Sequence, residues 1–288
     1  MRKGISFLLP SSGTCLEGGF NRPNKMNYYK LKEPFSVSFS GGASSAFMLR
    51  KILDAFGGSM PKESRVLFAN TGLEHDKTLD FVKECSERWD VDVVWLEYVP
   101  GDRFKIVNYE TASRDGTPFQ NLLDDRGFPP TPVARFCTSN LKMRAMSAYL
   151  KSIPWEDWDA AIGLRADEPR RATRITGDCA AETPVCPMYH EGHTLKDVES
   201  FWKDQDFRLE IPRWMGNCVG CFLKSRGRLE MVAEAEPHQL DWWAKAEEKM
   251  GKTFRIDRPS YTNLLTQVSV QGRLFEDDGS TIPCNCTE

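Results

Sequence analysis

The stretch over residues 35–39, which reads as a buried strand, runs without a spacer into Ser40-Gly41-Gly42-Ala43-Ser44-Ser45. From there it enters a helical pattern over residues 44–56, with Phe47, Met48, Ile52, Leu53 and Phe56 on one side. This junction constrains the fold more than any other feature. A buried strand that turns straight into a helix brings the helix's first backbone N–H groups and its positive dipole end to one point, which makes an anion cradle. Two glycines let the chain approach a phosphate closely, and hydroxyls add donors without bulk. Ser38, in the strand that feeds the turn, is counted with this site. The turn has neither the Gly-Lys-Ser/Thr of a Walker loop nor the GxGxxG of a dinucleotide fold.

The same alternation continues with a strand over 65–70, a helix over 75–89 and a strand over 91–98. Strand and helix in alternation imply parallel pairing with right-handed crossovers. The expected fold is therefore α/β, a parallel Rossmann-like sheet flanked by helices, with a helical, cysteine-bearing C-terminal part. Further expected elements are a helix over 141–150, a strand over 159–164, and a helix opened by Thr194 and Asp197 as a capping box. Two helical stretches follow, over 222–235 and 238–250. Residues 1–33 read as an irregular N-terminal extension and 34–288 as one nucleotide-binding domain.

Composition narrows the function classes. With 38 basic against 41 acidic side chains the net charge is −3, so bulk adhesion to nucleic acid is unsupported and any polyanion site must be local. No apolar run approaches the roughly 20 residues of a membrane-spanning helix, and the stretch over 5–10 is too short for a signal peptide, so a cytoplasmic location is expected. Nine cysteines, an odd number, cannot all pair within the chain, which points some of them to metal or redox chemistry.

Ser40-Gly41-Gly42-x-Ser44-Ser45 resembles the SGGxxS loop of the PP-loop, or adenine nucleotide α-hydrolase-like (HUP-type), superfamily, and the likeness extends along the chain. Residues 68–74 (FANTGLE) are similar to the segment after the second strand in phosphoadenosine phosphosulfate (PAPS) reductase-like proteins. Arg135-Phe136-Cys137-Thr138 with Lys142 is similar to their cysteine-basic segment. Residues 163–171 (GLRADEPRR) resemble their arginine loop, and residues 217–224 (NCVGCFLK) match a CxxC-FLK element of phage and bacterial members. Residues 257–261 (DRPSY) also recur in phage-type relatives, with no mechanism attached. The resemblance implies that Ser38, Ser40, Gly41, Gly42, Ser44, Ser45, Asn70, Thr71, Gly72, Gly163, Arg165, Arg170 and Arg171 bind an adenine nucleotide. Arg165 would also serve catalysis, and Arg135, Lys142, Arg144 and Arg174 would add positive charge. Planar guanidinium forks suit such bidentate contacts. Without the resemblance the arginines read as a solvated face.

Cys218-x-x-Cys221 can chelate one ion or one cluster edge, form a dithiol pair, or pack as small buried hydrophobes. One CxxC cannot complete a four-coordinate site. Assimilatory reductases that carry a 4Fe–4S cluster are similar in placing a cysteine about eighty residues before the CxxC, as Cys137 stands here. Their adjacent cysteine pair is absent, which leaves the fourth ligand to Cys286, Cys284 or Cys186, and zinc remains an alternative. Cys85 reads as core. The resemblance further implies a nucleophile on the C-terminal tail, so Cys286 and Cys284 are catalytic candidates, although the usual tail sequence is missing.

Two readings follow. In the first, the protein is a PAPS/APS reductase-like oxidoreductase, with a thioredoxin-type dithiol as donor. In the second, it is an ATP pyrophosphatase that takes ATP–Mg²⁺, adenylates a nucleic-acid or small-molecule acceptor, and transfers sulfur with an iron–sulfur site. A nucleotide-binding module without catalysis is a third class.

Overall fold

A computed structural model describes residues 27–175 and 177–277. Strand β1 (Phe35–Ser38) leads into α1 (Ala43–Ala55), followed by β2 (Ser64–Asn70), α2 (Asp76–Trp89), β3 (Val93–Glu97), β4 (Lys105–Val107) and α3 (Thr117–Arg126). A π-helical turn over Thr138–Arg144 opens α4 (Ala145–Lys151), and β5 (Trp158–Ile162), α5 (Pro169–Ala172), β6 (Glu182–Val185), α6 (Pro187–Glu191) and α7 (Leu195–Lys203) follow. Three longer helices close the chain, α8 (Arg226–Ala235), α9 (Asp241–Met250) and α10 (Tyr261–Gln271).

The strands form one sheet in the order β4-β3-β2-β1-β5-β6. All neighbours pair in parallel except β3 and β4. Val37 lies between Val66 of β2 and Ala161 of β5, so β1 is central and buried on both faces. Phe35, Val37 and Phe39 enter the main core, and Ser36 and Ser38 alternate with them on the other face. One face packs on α1, α2 and α7 through Phe35, Phe47, Met48, Ile52, Phe81 and Trp202. The other carries Leu67, Leu96, Trp158 and Ala160 against Tyr149 and Leu150 of α4. A separate apolar cluster, built on Phe119, Phe222, Trp243, Phe254, Tyr261 and Leu264, holds the C-terminal helices together and takes in Cys137 and Cys218.

Several elements depart from their sequence expectation for local reasons. The helix expected over 222–235 begins only at Arg226, capped by Ser225, because the Lys224 ammonium is drawn to the carbonyls of Trp214 (2.6 Å) and Gly216 (2.9 Å). The helix over 238–250 starts as a 3₁₀ turn, Pro237–Leu240, before α9. The capping box forms as read: the Asp197 carboxylate accepts from the Thr194 N–H at 2.6 Å. Within the expected extension, Tyr29 is buried and its hydroxyl lies 2.7 Å from His193 Nδ1. Among the described residues no helix is long and apolar enough to cross a membrane.

Candidate functional site

The turn after β1 is built for close approach. Gly41 has φ +78°, and a Cβ there would stand 2.7 Å from Thr78 Cγ2 and 3.0 Å from Val82 Cγ2, both on α2. Only glycine fits. Gly42 is the N-cap of α1 and supplies no side-chain acceptor, so the first-turn N–H groups of the helix are left to other partners. Ser45 organises the turn: its hydroxyl donates to the Gly42 carbonyl (2.9 Å) and accepts from the Ser40 N–H (3.2 Å). Across the turn, the buried Arg165 guanidinium donates to Ser44 Oγ (3.1 Å) and to Asp167 (3.0 Å). Gly163 lets β5 lie against the turn, since a Cβ there would meet Ser45 Cα at 3.2 Å.

Two cavities meet at Ser40. The larger, about 530 Å³, opens over the carboxyl ends of β1, β2 and β5, the edge where open α/β sheets receive ligands. Its floor is apolar, with Leu67, Ala69, Met146, Leu150 and Ile162, and its rim carries Arg135, Lys142, Arg170, Arg171 and Arg174. That volume and that division of polarity suit a nucleoside with an anionic end. The smaller cavity, about 330 Å³, lies on the α1 side of the turn and is lined by Gly41, Gly42, Ser44 and Arg165.

The Asn70-Thr71-Gly72 segment lines neither of these two cavities. Asn70 Nδ2 donates to Glu97 (2.7 Å) and to the Ser113 carbonyl (2.8 Å), while its Oδ1 accepts from the Gly72 N–H (3.1 Å). Gly72, with φ +77°, accepts the Gly116 N–H at 2.9 Å. Thr71 Oγ1 donates to Glu74 (2.8 Å) and lies 3.3 Å from Cys218 Sγ. This segment therefore fixes the loop that carries the cysteines: the Val219 N–H reaches the Leu73 carbonyl at 2.9 Å, and Glu74 and Cys218 pair as an isolated antiparallel bridge.

Cys137, Cys218 and Cys221 line one small void together with Thr71, Thr138 and Lys142. The three thiols named from sequence spacing are thus brought together from segments far apart in the chain. Burial, reinforced by Glu74, pushes the Cys218 thiol well above its ordinary range. Among the described residues no three His, Cys, Asp or Glu side chains are gathered for a single metal ion. The donors fit a thiolate-ligated cluster in kind, and they supply three of its four ligands. The void between them is about 20 Å³, room for about one water, so uptake of a larger group requires the 137–142 and 218–221 segments to part. Cys186, a further ligand candidate, is buried at the N-cap of α6 and does not line this void; its thiol is pushed up to about 11 by burial. Cys284 and Cys286 lie outside the described residues. Cys85 is buried in the main core, as read.

Sequence reasoning attached no role to residues 257–261, and the structure shows one. Tyr261 Oη donates to the Gly220 carbonyl (2.5 Å), and Arg258 donates to the Lys224 carbonyl (2.8 Å), so the segment holds the cysteine loop at both ends of Cys221. Thr138, Thr78 and Met146 were also missed as lining residues. Their only sequence signal is adjacency to Cys137 or a place on an otherwise ordinary helix face.

Residues 34–222 match the phosphoadenosine phosphosulfate reductase domain family. The chain is 28% identical over 218 residues to an uncharacterized nin region protein of Escherichia phage lambda, covering 69% of each. It is also 28% identical over 153 residues to an uncharacterized protein of Methanocaldococcus jannaschii, covering 52% of this chain but 27% of that one. A U34-tRNA thiolase of Methanococcus maripaludis, solved with its 4Fe–4S cluster, aligns with a TM-score of 0.35 at 12% identity, over 86% of this chain and 78% of that one.

Proposed function

The chain belongs to the phosphoadenosine phosphosulfate reductase domain family, and we propose that it is an enzyme that binds an adenine nucleotide in the larger cavity and works on sulfur at the cysteine wall beside it. One observation carries this reading: Thr138 and Lys142 line both the 530 Å³ cavity and the three-cysteine void, so the cationic rim and the thiols share a wall. The apolar floor takes the nucleoside. Arg135, Lys142, Arg170, Arg171 and Arg174 take the phosphate or sulfate end, where low local dielectric strengthens each contact.

In the reductase form, the substrate is PAPS or APS. A thiolate attacks the sulfate sulfur, the bond from sulfur to the bridging phosphate oxygen breaks, and the nucleotide leaves with the electron pair. The tail cysteines Cys286 and Cys284 are the nucleophile candidates that the family resemblance supplies. A thioredoxin-type dithiol then reduces the enzyme S-sulfonate with two electrons, releasing sulfite and restoring the thiol. The guanidinium rim offsets the charge that builds on the leaving phosphate. Arg165 is buried at the turn and orients it through Ser44. An iron–sulfur cluster, if bound, would be held by Cys137, Cys218 and Cys221 and would supply electron-rich, sulfur-binding iron beside the rim.

A second reading, ATP–Mg²⁺ cleavage to pyrophosphate with adenylation of an acceptor, is favoured by the complete Ser-Gly-Gly-x-x-Ser turn at an α1 terminus that lacks a side-chain cap. Product analysis after anaerobic incubation separates the two. Sulfite with adenosine 3′,5′-bisphosphate from PAPS plus dithiol supports the reductase. Pyrophosphate with AMP or an adenylate from ATP supports the activating enzyme, and no turnover of either overturns both.

A further inference from the structure

Residues 255–261 place two guanidinium groups behind the cysteine loop. Arg255 takes both carboxylate oxygens of Asp257, with its Nε 2.6 Å from Oδ1. That leaves Arg258 without a carboxylate: its Nη1 donates to the Lys224 carbonyl at 2.8 Å, and among the described residues it makes no ion pair. Burial pulls the Arg258 guanidinium below its ordinary value and Arg255 adds to that pull, while Tyr261, Asp257 and Cys221, when charged, oppose it. A second like charge beside a desolvated cation is costly unless an anion compensates.

The other cations near the thiols are matched or engaged elsewhere. Lys142 stands 3.6 Å from Glu74, and the Lys224 ammonium goes to the carbonyls of Trp214 and Gly216. Arg258 is joined to the cysteine loop by a short relay, because the Lys224 residue whose carbonyl it holds donates its own N–H to the Cys221 carbonyl at 3.0 Å. Tyr261 fixes the preceding residue, Gly220, through its carbonyl. A guanidinium with no counter-ion of its own is thus anchored at the turn that carries the half-buried Cys221.

We infer that Arg258 is the counter-charge of a thiolate-ligated iron–sulfur centre at Cys137, Cys218 and Cys221, a positioning residue that sets how readily the centre takes up an electron. The inference deepens the proposed function and rests on the cluster named there. Iron–sulfur potentials follow the net charge and the hydrogen bonding around the sulfurs. One electron entering the centre, from dithionite in the test below, adds one negative charge, and a fixed cation nearby stabilises that reduced form. Loss of the cation therefore makes the centre harder to reduce.

The test is a dithionite redox titration of the full chain, prepared anaerobically, followed by electron paramagnetic resonance with iron content measured alongside. Arg258→Gln keeps a donor for the Lys224 carbonyl and loses the charge. Its reduced-to-oxidised ratio at a fixed solution potential is expected to fall at least threefold, a shift of about 28 mV at 59 mV per tenfold for one electron. Arg258→Lys keeps the charge and is expected to stay within threefold of the wild type. Tyr261→Phe loosens the same loop without changing its charge and separates charge from mere support: a lower Tm at an unshifted potential is expected. Where Arg258→Gln does not hold iron, Arg258→Lys decides, since wild-type iron content supports the inference and loss of iron overturns it. A shift below threefold in Arg258→Gln, or as large a shift in Tyr261→Phe, overturns the inference while the cluster stands. Wild-type protein without iron defeats the cluster reading itself and the inference with it, and is seen before any variant is compared.

Discussion

Gly41 and Gly57 form a matched pair for testing how the turn is built, because both have φ +78° and differ in what surrounds them. A Cβ at Gly57 meets nothing within 4 Å, whereas at Gly41 it meets Thr78 Cγ2 at 2.7 Å, Val82 Cγ2 at 3.0 Å and Phe68 Cε2 at 3.3 Å. Alanine at either position carries the left-handed strain of a residue with a Cβ, roughly 1–2 kcal/mol. At Gly41 the methyl also overpacks against two β-branched side chains that have little χ1 freedom on a helix, which adds about 1–3 kcal/mol. Gly41→Ala is therefore expected to lose about 2–5 kcal/mol and Gly57→Ala about 1–2 kcal/mol. Urea unfolding followed by tryptophan fluorescence reads the difference as a lower midpoint at unchanged slope. Because relief of the clash moves the turn off α2, Gly41→Ala should also weaken AMP binding by about tenfold or more, as misplaced backbone donors cost at least about 1.4 kcal/mol. Gly57→Ala should bind AMP like the wild type. Equal midpoints for the two variants, or wild-type AMP affinity in Gly41→Ala, would refute the packing argument.

Three other outcomes follow from the same contacts. Replacing Cys137, Cys218 and Cys221 together by Ser should abolish iron content and absorption near 400 nm in anaerobically prepared protein, while Cys85→Ser leaves both unchanged; iron retained by the triple variant would remove these thiols from any centre. Lys224→Met strips the buried carbonyls of Trp214 and Gly216 of their shared ammonium, so a loss of about 1–3 kcal/mol in chemical denaturation is expected, and a loss below about 0.5 kcal/mol would contradict the clamp. The raised Cys186 thiol predicts alkaline sensitivity: between the ordinary value of 9.0 and about 11 the unfolded chain has lost a proton that the folded one keeps. Stability then falls with rising pH by about 1.4 kcal/mol per unit across that window, relative to Cys186→Ala, and parallel pH profiles for the two proteins would contradict it.

The α/β alternation and the turn were legible because their causes are local. A strand with Phe35, Val37 and Phe39 on one side, a Gly-Gly turn and a 3.6-residue apolar stripe are all written within residues 35–56. What was not legible depends on distant partners. Helix α10 has a β-branched, polar sequence of weak intrinsic helicity, and it forms where Tyr261, Leu264 and Val268 can be buried in the C-terminal cluster. Strand β4 is three residues long with Ile106 exposed, and its antiparallel register is set by Leu96 opposite Ile106 and by Lys105, whose ammonium stands 3.0 Å from the buried Glu97. The family resemblance implies a nucleotide contact at Asn70. Its amide is instead spent on Glu97 and Ser113, residues that no local pattern ties to it.

Glu74 stands between the cysteine void and the wall that this void shares with the larger cavity. Its Oε2 accepts from the Thr71 N–H (2.9 Å) and hydroxyl (2.8 Å), its Oε1 takes no hydrogen bond and stands 3.6 Å from Lys142 Nζ, and its backbone bridges Cys218. A carboxylate held this far from water is tolerable only beside compensating charge. Lys142, which meets it, is a residue of the wall common to both spaces. An anion entering the larger cavity would meet the same ammonium, which also acts on the Cys218 thiol: burial and Glu74 raise that thiol, and Lys142 opposes them. The larger cavity and the cysteine void are thus joined at Thr138 and Lys142, beside a turn over residues 71–74 whose hydrogen bonds run to Asn70 and Val219.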